Sequence, residues 1–201
     1  MKKIIIPLLI ILCLCSCNLP SDYTEPEQRA IVTVMGLENE FEDINIYIQL
    51  YNGEVYSQTG NNIENALENL QNIIEGELLF SQCSAIFIDK ALYSNQIKDI
   101  LEFCIKNNEI SLSVKLINCE VRRLFNGEEK RIGETLYNKM NYSWKKSQAT
   151  KLGSCFEIID REEYFLLDLE IVENELAISG VCRYDKNRFS GEYPISSIAQ
   201  N

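Results

Sequence analysis

The sequence predicts an α+β fold: a mixed β-sheet with helices packed against it, followed by a helical segment and a terminal β-hairpin. Two periodicities carry this expectation. Ile44-Asn-Ile-Tyr-Ile-Gln-Leu50 alternates apolar and polar residues at strand spacing, while Ile63, Ala66, Leu67, Leu70, Ile73 and Ile74 recur at helix spacing. Their succession along the chain, β-β-α-β-α-β, is the third observation, and it is the order of a mixed sheet with helices laid against it.

Before that domain comes a leader. Lys2 and Lys3 form a positive region, and Ile4 to Cys15 is an almost unbroken apolar run. Residues 1–16 thus have the outline of a secretory signal peptide. A spanning helix needs roughly 20 apolar residues, whereas this run is shorter and contains Pro7. Leu14-Cys15-Ser16 then leads into Cys17, which resembles the bacterial lipobox of leucine, two small residues and an obligatory cysteine. Cleavage is expected between Ser16 and Cys17. Only the cysteine sulfur takes a diacylglyceryl group by thioether formation, and two acyl chains at ~0.8 kcal/mol per buried methylene hold a protein stably where one holds it marginally. Cys17 is therefore the expected lipid attachment site. Residues 17–28 include Pro20, Ser21, Asp22 and Pro26 and read as a lipidated tether.

Residues 29–119 read as an α/β N-terminal domain. Ala30 to Met35 is the first expected strand, Gly36 to Asp43 a turn, and Ile44 to Leu50 the second strand of an antiparallel hairpin. Asn61-Asn62 caps the helix that Gly76 closes. Cys83 to Ile88 is a short apolar strand. A Ser94-capped helix follows, with Ile97, Ile100, Leu101, Cys104 and Ile105 facing inward, and Ile110 to Ile117 alternates again. Residues 120–201 read as a helical segment plus a β-hairpin, the start of a truncated second domain. Its helical pieces are Val121 to Phe125 and Leu136 to Trp144. Phe165 to Val172 and Leu176 to Tyr184 form the hairpin, turned at Glu173-Asn174-Glu175, with Tyr184 to Phe189 as a further turn.

Composition narrows the function. Hydrophobic residues make up 46% and charged residues 24%, which is ordinary for a globular chain. The formal charge of −11 becomes −13 when Lys2 and Lys3 leave with the leader, which argues against a nucleic-acid partner and against a polybasic grip on lipid. No histidine is present, so histidine triads, dyads and metal sites are excluded together. With Cys13, Cys15 and Cys17 assigned to the leader and lipobox, Cys83, Cys104, Cys119, Cys155 and Cys182 remain, without a CxxC pair. They read as small buried hydrophobes, with one or two disulfides left open. Glu38 to Asp43 and Asp160 to Glu163 lack EF-hand spacing and read as solvated acidic turns. Tyr137, Tyr142 and Trp144 do not share a helical face and read as packing residues. With no phosphate-cradling loop and no nucleophile elbow, no catalytic residue, metal or cofactor is expected.

Several segments, taken in order after the lipobox, resemble the C-subunit lipoproteins of spore germination receptors, the GerC-type family. They are "RAIVTVMGLE", "NNIENALENLQNIIEGELLFSQCSAIFIDKAL", "IKDILEFCIKNNEISLSVKLINCE" and "LEIVENELAISGVCRYDKNRFSGEYP". Asn18-Leu19 replaces the family's Trp-Asp pair, Ser81-Gln82 replaces its Gly-His, and its C-terminal domain is expected to be lacking. The resemblance implies a short, divergent, non-enzymatic subunit in nutrient-triggered germination. It implies lipid anchoring at the outer face of the spore inner membrane, beside two integral membrane subunits. A free-standing surface lipoprotein, serving as a ligand-binding or structural module, is the alternative.

Overall fold

The computed structural model describes residues 29–90, 92, 94–111, 113–127, 131–143, 163–173, 175–185 and 188–194. The strands are β1 (Arg29–Glu40), β2 (Asp43–Leu50), β3 (Val55–Gly60), β4 (Glu77–Leu79), β5 (Ala85–Asp89), β6 (Lys115–Cys119), β7 (Glu163–Val172), β8 (Glu175–Asp185) and β9 (Arg188–Pro194). Four helices are described: α1 (Ile63–Gln71), α2 (Ser94–Lys106), α3 (Val121–Phe125) and α4 (Ile132–Ser143). The fold is α+β, as the periodicities predict.

Among the described residues the strands form one sheet in the order β3-β2-β1-β5-β6-β7-β8-β9, with β4 beside the start of β1. The central block β1, β5, β6 and β7 is parallel. Antiparallel strands flank it, β2 and β3 on one side and β8 and β9 on the other. β5 lies mid-sheet with both faces covered, and Ala85 to Ile88 are all fully buried, which explains why this strand reads as a continuous apolar run.

Side chains alternate between two cores. On one face Met35, Ile46, Ile86, Ile88 and Leu116 meet Ile63, Ala66 and Leu70 of α1 and Ile97, Ile100 and Cys104 of α2. On the other, Val34, Tyr47, Phe87 and Ile117 meet Val121, Leu124 and Phe125 of α3 and Ile132 and Leu136 of α4. Each large side chain so buried contributes about 1.5–3 kcal/mol, far more than helix propensity does, so helix placement follows the sheet's two apolar faces.

Several boundaries differ from the sequence reading. β1 runs straight through Gly36, which pairs with Tyr47 and Phe87, and the turn shrinks to Phe41-Glu42. Gly36 marks a close approach: a Cβ there would stand 2.5 Å from Phe125 Cε2 and 2.7 Å from Val121 Cγ1. Asn62 caps α1 as expected, its Oδ1 accepting the Asn65 N–H at 2.8 Å, but the helix ends at Gln71 and leaves Ile73 half exposed. Ile105 also faces out. Ile110 lies in a turn, because the Ser111 hydroxyl takes up the Ser113 N–H and pairing starts only at Lys115. The chain reverses within Tyr184 to Phe189 as expected, Asp185 pairing with Arg188, but it then continues as a further antiparallel strand, β9, that the sequence reading did not include.

The candidate functional site

The carboxyl ends of the parallel strands open into a cleft of about 620 Å3. In open sheets of this kind ligands settle in the crevice outside these strand ends. β1 brings Glu38, β5 Asp89, the end of β6 Glu120, and β7 and β8 the apolar wall of Ile171 and Leu176. Arg122 and Arg123 come from α3, which sits here because Val121, Leu124 and Phe125 plug the sheet beneath it. Asp89 Oδ2 accepts the Val121 N–H at 3.3 Å.

Both guanidinium groups of this cleft are paired with carboxylates, and the acids outnumber them. Arg122 Nε lies 3.1 Å from Glu38 Oε1, and its Nη2 lies 3.3 Å from Glu40 Oε1. Arg123 Nη1 reaches Glu120 Oε2 at 3.5 Å. Tyr47 donates its hydroxyl to Glu38 Oε2 at 3.1 Å, and burial first, then the Glu38 carboxylate, holds that phenol above its ordinary range. The lining carries acids and guanidinium groups, with no serine, cysteine or lysine nucleophile among the described residues. Such a surface recognises polar and charged groups.

A second polar cluster crosses the sheet beside it. Lys90 Nζ reaches Asp168 Oδ2 at 3.0 Å and Glu192 Oε1 at 3.2 Å. Ser179 Oγ donates to Asp168 Oδ2 at 3.0 Å, and Tyr184 donates to Asn118 Oδ1 at 3.0 Å. Burial opposes the charge on Lys90, but hydrogen bonds to Asp168 and Glu192 outweigh it and raise the ammonium above its ordinary range. Asp168, Cys182 and Glu192 place possible metal-ligand atoms within 4.8 Å of one another. Lys90 already supplies the positive charge there. Burial first, then the Asp168 carboxylate, pushes the Cys182 thiol up to about 11, which disfavours the thiolate a metal would need.

Ser16, Cys17, Cys155 and Trp144 lie outside the described residues. Cys83, Cys104, Cys119 and Cys182 are all buried, in keeping with their reading as small hydrophobes. The first acidic cluster is not a free turn, since Arg122 binds Glu38 and Glu40. Of the second, Asp160 to Glu162 lie outside the described residues, and Glu163 pairs with Arg183 at 3.0 Å. Tyr137 is mostly exposed on α4, and the side chain of Tyr142 is outside the described residues. The sequence reading missed Arg122, Lys90 and Asp168. Lys90 at a strand end and Asp168 inside an apolar strand were the available signals, but 78 residues separate them.

The family model described as the spore germination protein N-terminal domain matches residues 22–162. The chain belongs to this family. The match takes in β1 to α4 and therefore every residue that β1, β5, β6 and α3 bring to the cleft. Among solved structures, the crystal structure of the GerBC protein is similar at 12% identity and a TM-score of 0.38, over 81% of this chain and 52% of that one. The germination-family chain thus spans about half the length of that relative. A search of curated proteins found no match. Among the described residues no helix is long and apolar enough to cross a membrane.

Proposed function

We propose that this chain is a non-enzymatic, GerC-type subunit of a germinant receptor, held on a membrane by diacylglyceryl at Cys17 and acting in nutrient-triggered spore germination. The observation that carries the reading is the family match over residues 22–162, which starts just downstream of the lipobox. Anchoring confines the subunit and its integral membrane partners to one surface, so that a weak docking contact suffices. The cleft, with both guanidinium groups already paired and no nucleophile in its described lining, favours a docking role over catalysis. The outer face of the spore inner membrane is the location this role implies.

Co-purification from spore membranes tests the proposal. The wild-type chain is expected to bring down receptor membrane subunits encoded beside it, and loss of the chain is expected to slow nutrient-triggered germination. A chain that is abundant in spore membranes yet never co-purifies with such subunits, and whose loss leaves germination unchanged, would overturn it.

A further inference from the structure

At the opposite end of the sheet, between the amino end of α4 and the bulge in β1, lies a smaller recess of about 290 Å3. Thr33, Gln49, Ser84, Arg131, Gly133 and Glu134 line it. Gln49 is only 2% exposed, and its Oε1 accepts the Ile132 N–H at 2.9 Å. That donor fixes which way the amide points, because only the oxygen can face an N–H. The other end of the amide, Nε2, is a buried donor with no hydrogen-bond partner among the described residues. An unmade bond of this kind costs about 1–3 kcal/mol.

The surroundings are rich in donors. Ile132, Gly133 and Glu134 open a 12-residue helix, and the first-turn N–H groups of a helix have no acceptor within it. Gln49 satisfies that of Ile132, and those of Gly133 and Glu134, which have no acceptor among the described residues, lie at the recess with the positive end of the helix dipole. Arg131 adds a guanidinium. Its Nη1 lies 3.1 Å from Glu134 Oε2, but a guanidinium carries five donors and can be shared. The neighbouring hydroxyls are already directed at backbone carbonyls, Thr33 Oγ1 at Gln49 O (3.0 Å) and Ser84 Oγ at Thr33 O (3.2 Å).

Local backbone features build the recess. The β1–β2 register shifts between Val32 and Val34, and such bulges re-aim side chains beside functional sites. Gly133 lets the helix start close to the sheet, since a Cβ there would stand 3.2 Å from Val34 Cγ1. We infer that this recess binds a small carboxylate-bearing molecule, whose oxygens meet Gln49 Nε2, the Gly133 and Glu134 N–H groups and Arg131. The volume admits only a small ligand, and the Glu134 carboxylate disfavours a doubly charged anion. The site is separate from the docking cleft and stands independently of the receptor reading.

The test is an NMR titration of the isotope-labelled full chain in detergent with sodium acetate and sodium propionate, against sodium chloride and inorganic phosphate. Expected are saturable shifts of the Gln49 side-chain amide and of the Gly133 and Glu134 backbone amides with the carboxylates alone. Arg131→Gln, at an exposed position, should weaken binding about tenfold while leaving the melting temperature unchanged, as for loss of a charge-assisted hydrogen bond. The inference is overturned if the carboxylates give no saturable shift, if chloride gives the same one, or if phosphate alone binds. It is also overturned if a bound water contacts Gln49 Nε2 and acetate does not displace it, or if Arg131→Gln binds as the wild type does.

Discussion

Gly36 and Phe125 touch so closely that no side chain fits between them: a Cβ on Gly36 would stand 2.5 Å from the Phe125 ring. This contact seats α3, and with it Arg122 and Arg123, at the mouth of the cleft. Gly36→Ala is therefore expected to destabilise the fold by about 1–3 kcal/mol, the usual cost of overpacking. Gly36→Ala combined with Phe125→Leu should recover part of it. Chemical denaturation of the two variants checks this, and a Gly36→Ala protein as stable as wild type would contradict the close approach.

Lys90→Met should be costly because it strands Asp168, whose side chain is 5% exposed. Breaking a fully buried pair costs about 3–5 kcal/mol, and the 37% exposure of Lys90 lowers the expectation to about 2 kcal/mol. Removing both charges in Lys90→Met with Asp168→Leu should restore most of the loss. Denaturation midpoints of the single and double variants decide between a true pair and an incidental contact.

Alkaline pH should unfold the protein earlier than acid-side charge alone implies. The Cys182 thiol has its ordinary value at 9.0 and is pushed up to about 11 in the fold by burial first and Asp168 second. A group raised on folding lends stability that is complete below its unfolded value and is lost as pH rises through the folded one. The melting temperature should thus fall between about pH 9 and pH 11, and less steeply in Cys182→Ala. Equal slopes for the two proteins would remove Cys182 from the account.

Phe41 offers a stabilising substitution. It is 99% exposed at the tip of a two-residue hairpin loop and has φ of 60°, a region in which a bulky L-residue is strained. Phe41→Asn loses no packing and relieves strain, so it should add about 1 kcal/mol and raise the melting temperature by about 2–4 °C. Calorimetry reads this directly.

Cys17→Ala should abolish membrane retention. The acyl chains are the proposed anchor, and no described helix is long and apolar enough to replace them. Fractionation with labelled fatty acid is the measurement. A correctly cleaved Cys17→Ala chain that still sediments with membranes would refute lipid anchoring.

The parts legible in the sequence were those governed by local periodicity. Ile44 to Leu50 alternates and pairs as β2, and Asn62 caps α1. β3 and β9 escaped because they are edge strands, where partial burial leaves no clean apolar alternation; β3 is itself the mostly polar run Val55-Tyr-Ser-Gln-Thr-Gly60. Gly36 was misread for a different reason. A glycine that opens a turn and one that admits a neighbouring helix look alike until the neighbour is known.

By itself the sequence determined the α+β class, the apolar faces of α1 and α2, the strand pairing of the two hairpins, the absence of histidine chemistry, and the family to which the chain belongs. These depend on residues within a few turns or strand lengths of one another, or on composition. Only the tertiary structure decided that α3 and α4 cover the second face, that Arg122 binds Glu38 across 84 residues, and that Gln49 meets Ile132 across 83. Such contacts are set by strand order, which brings distant segments to one end of the sheet and leaves no periodic trace in the chain.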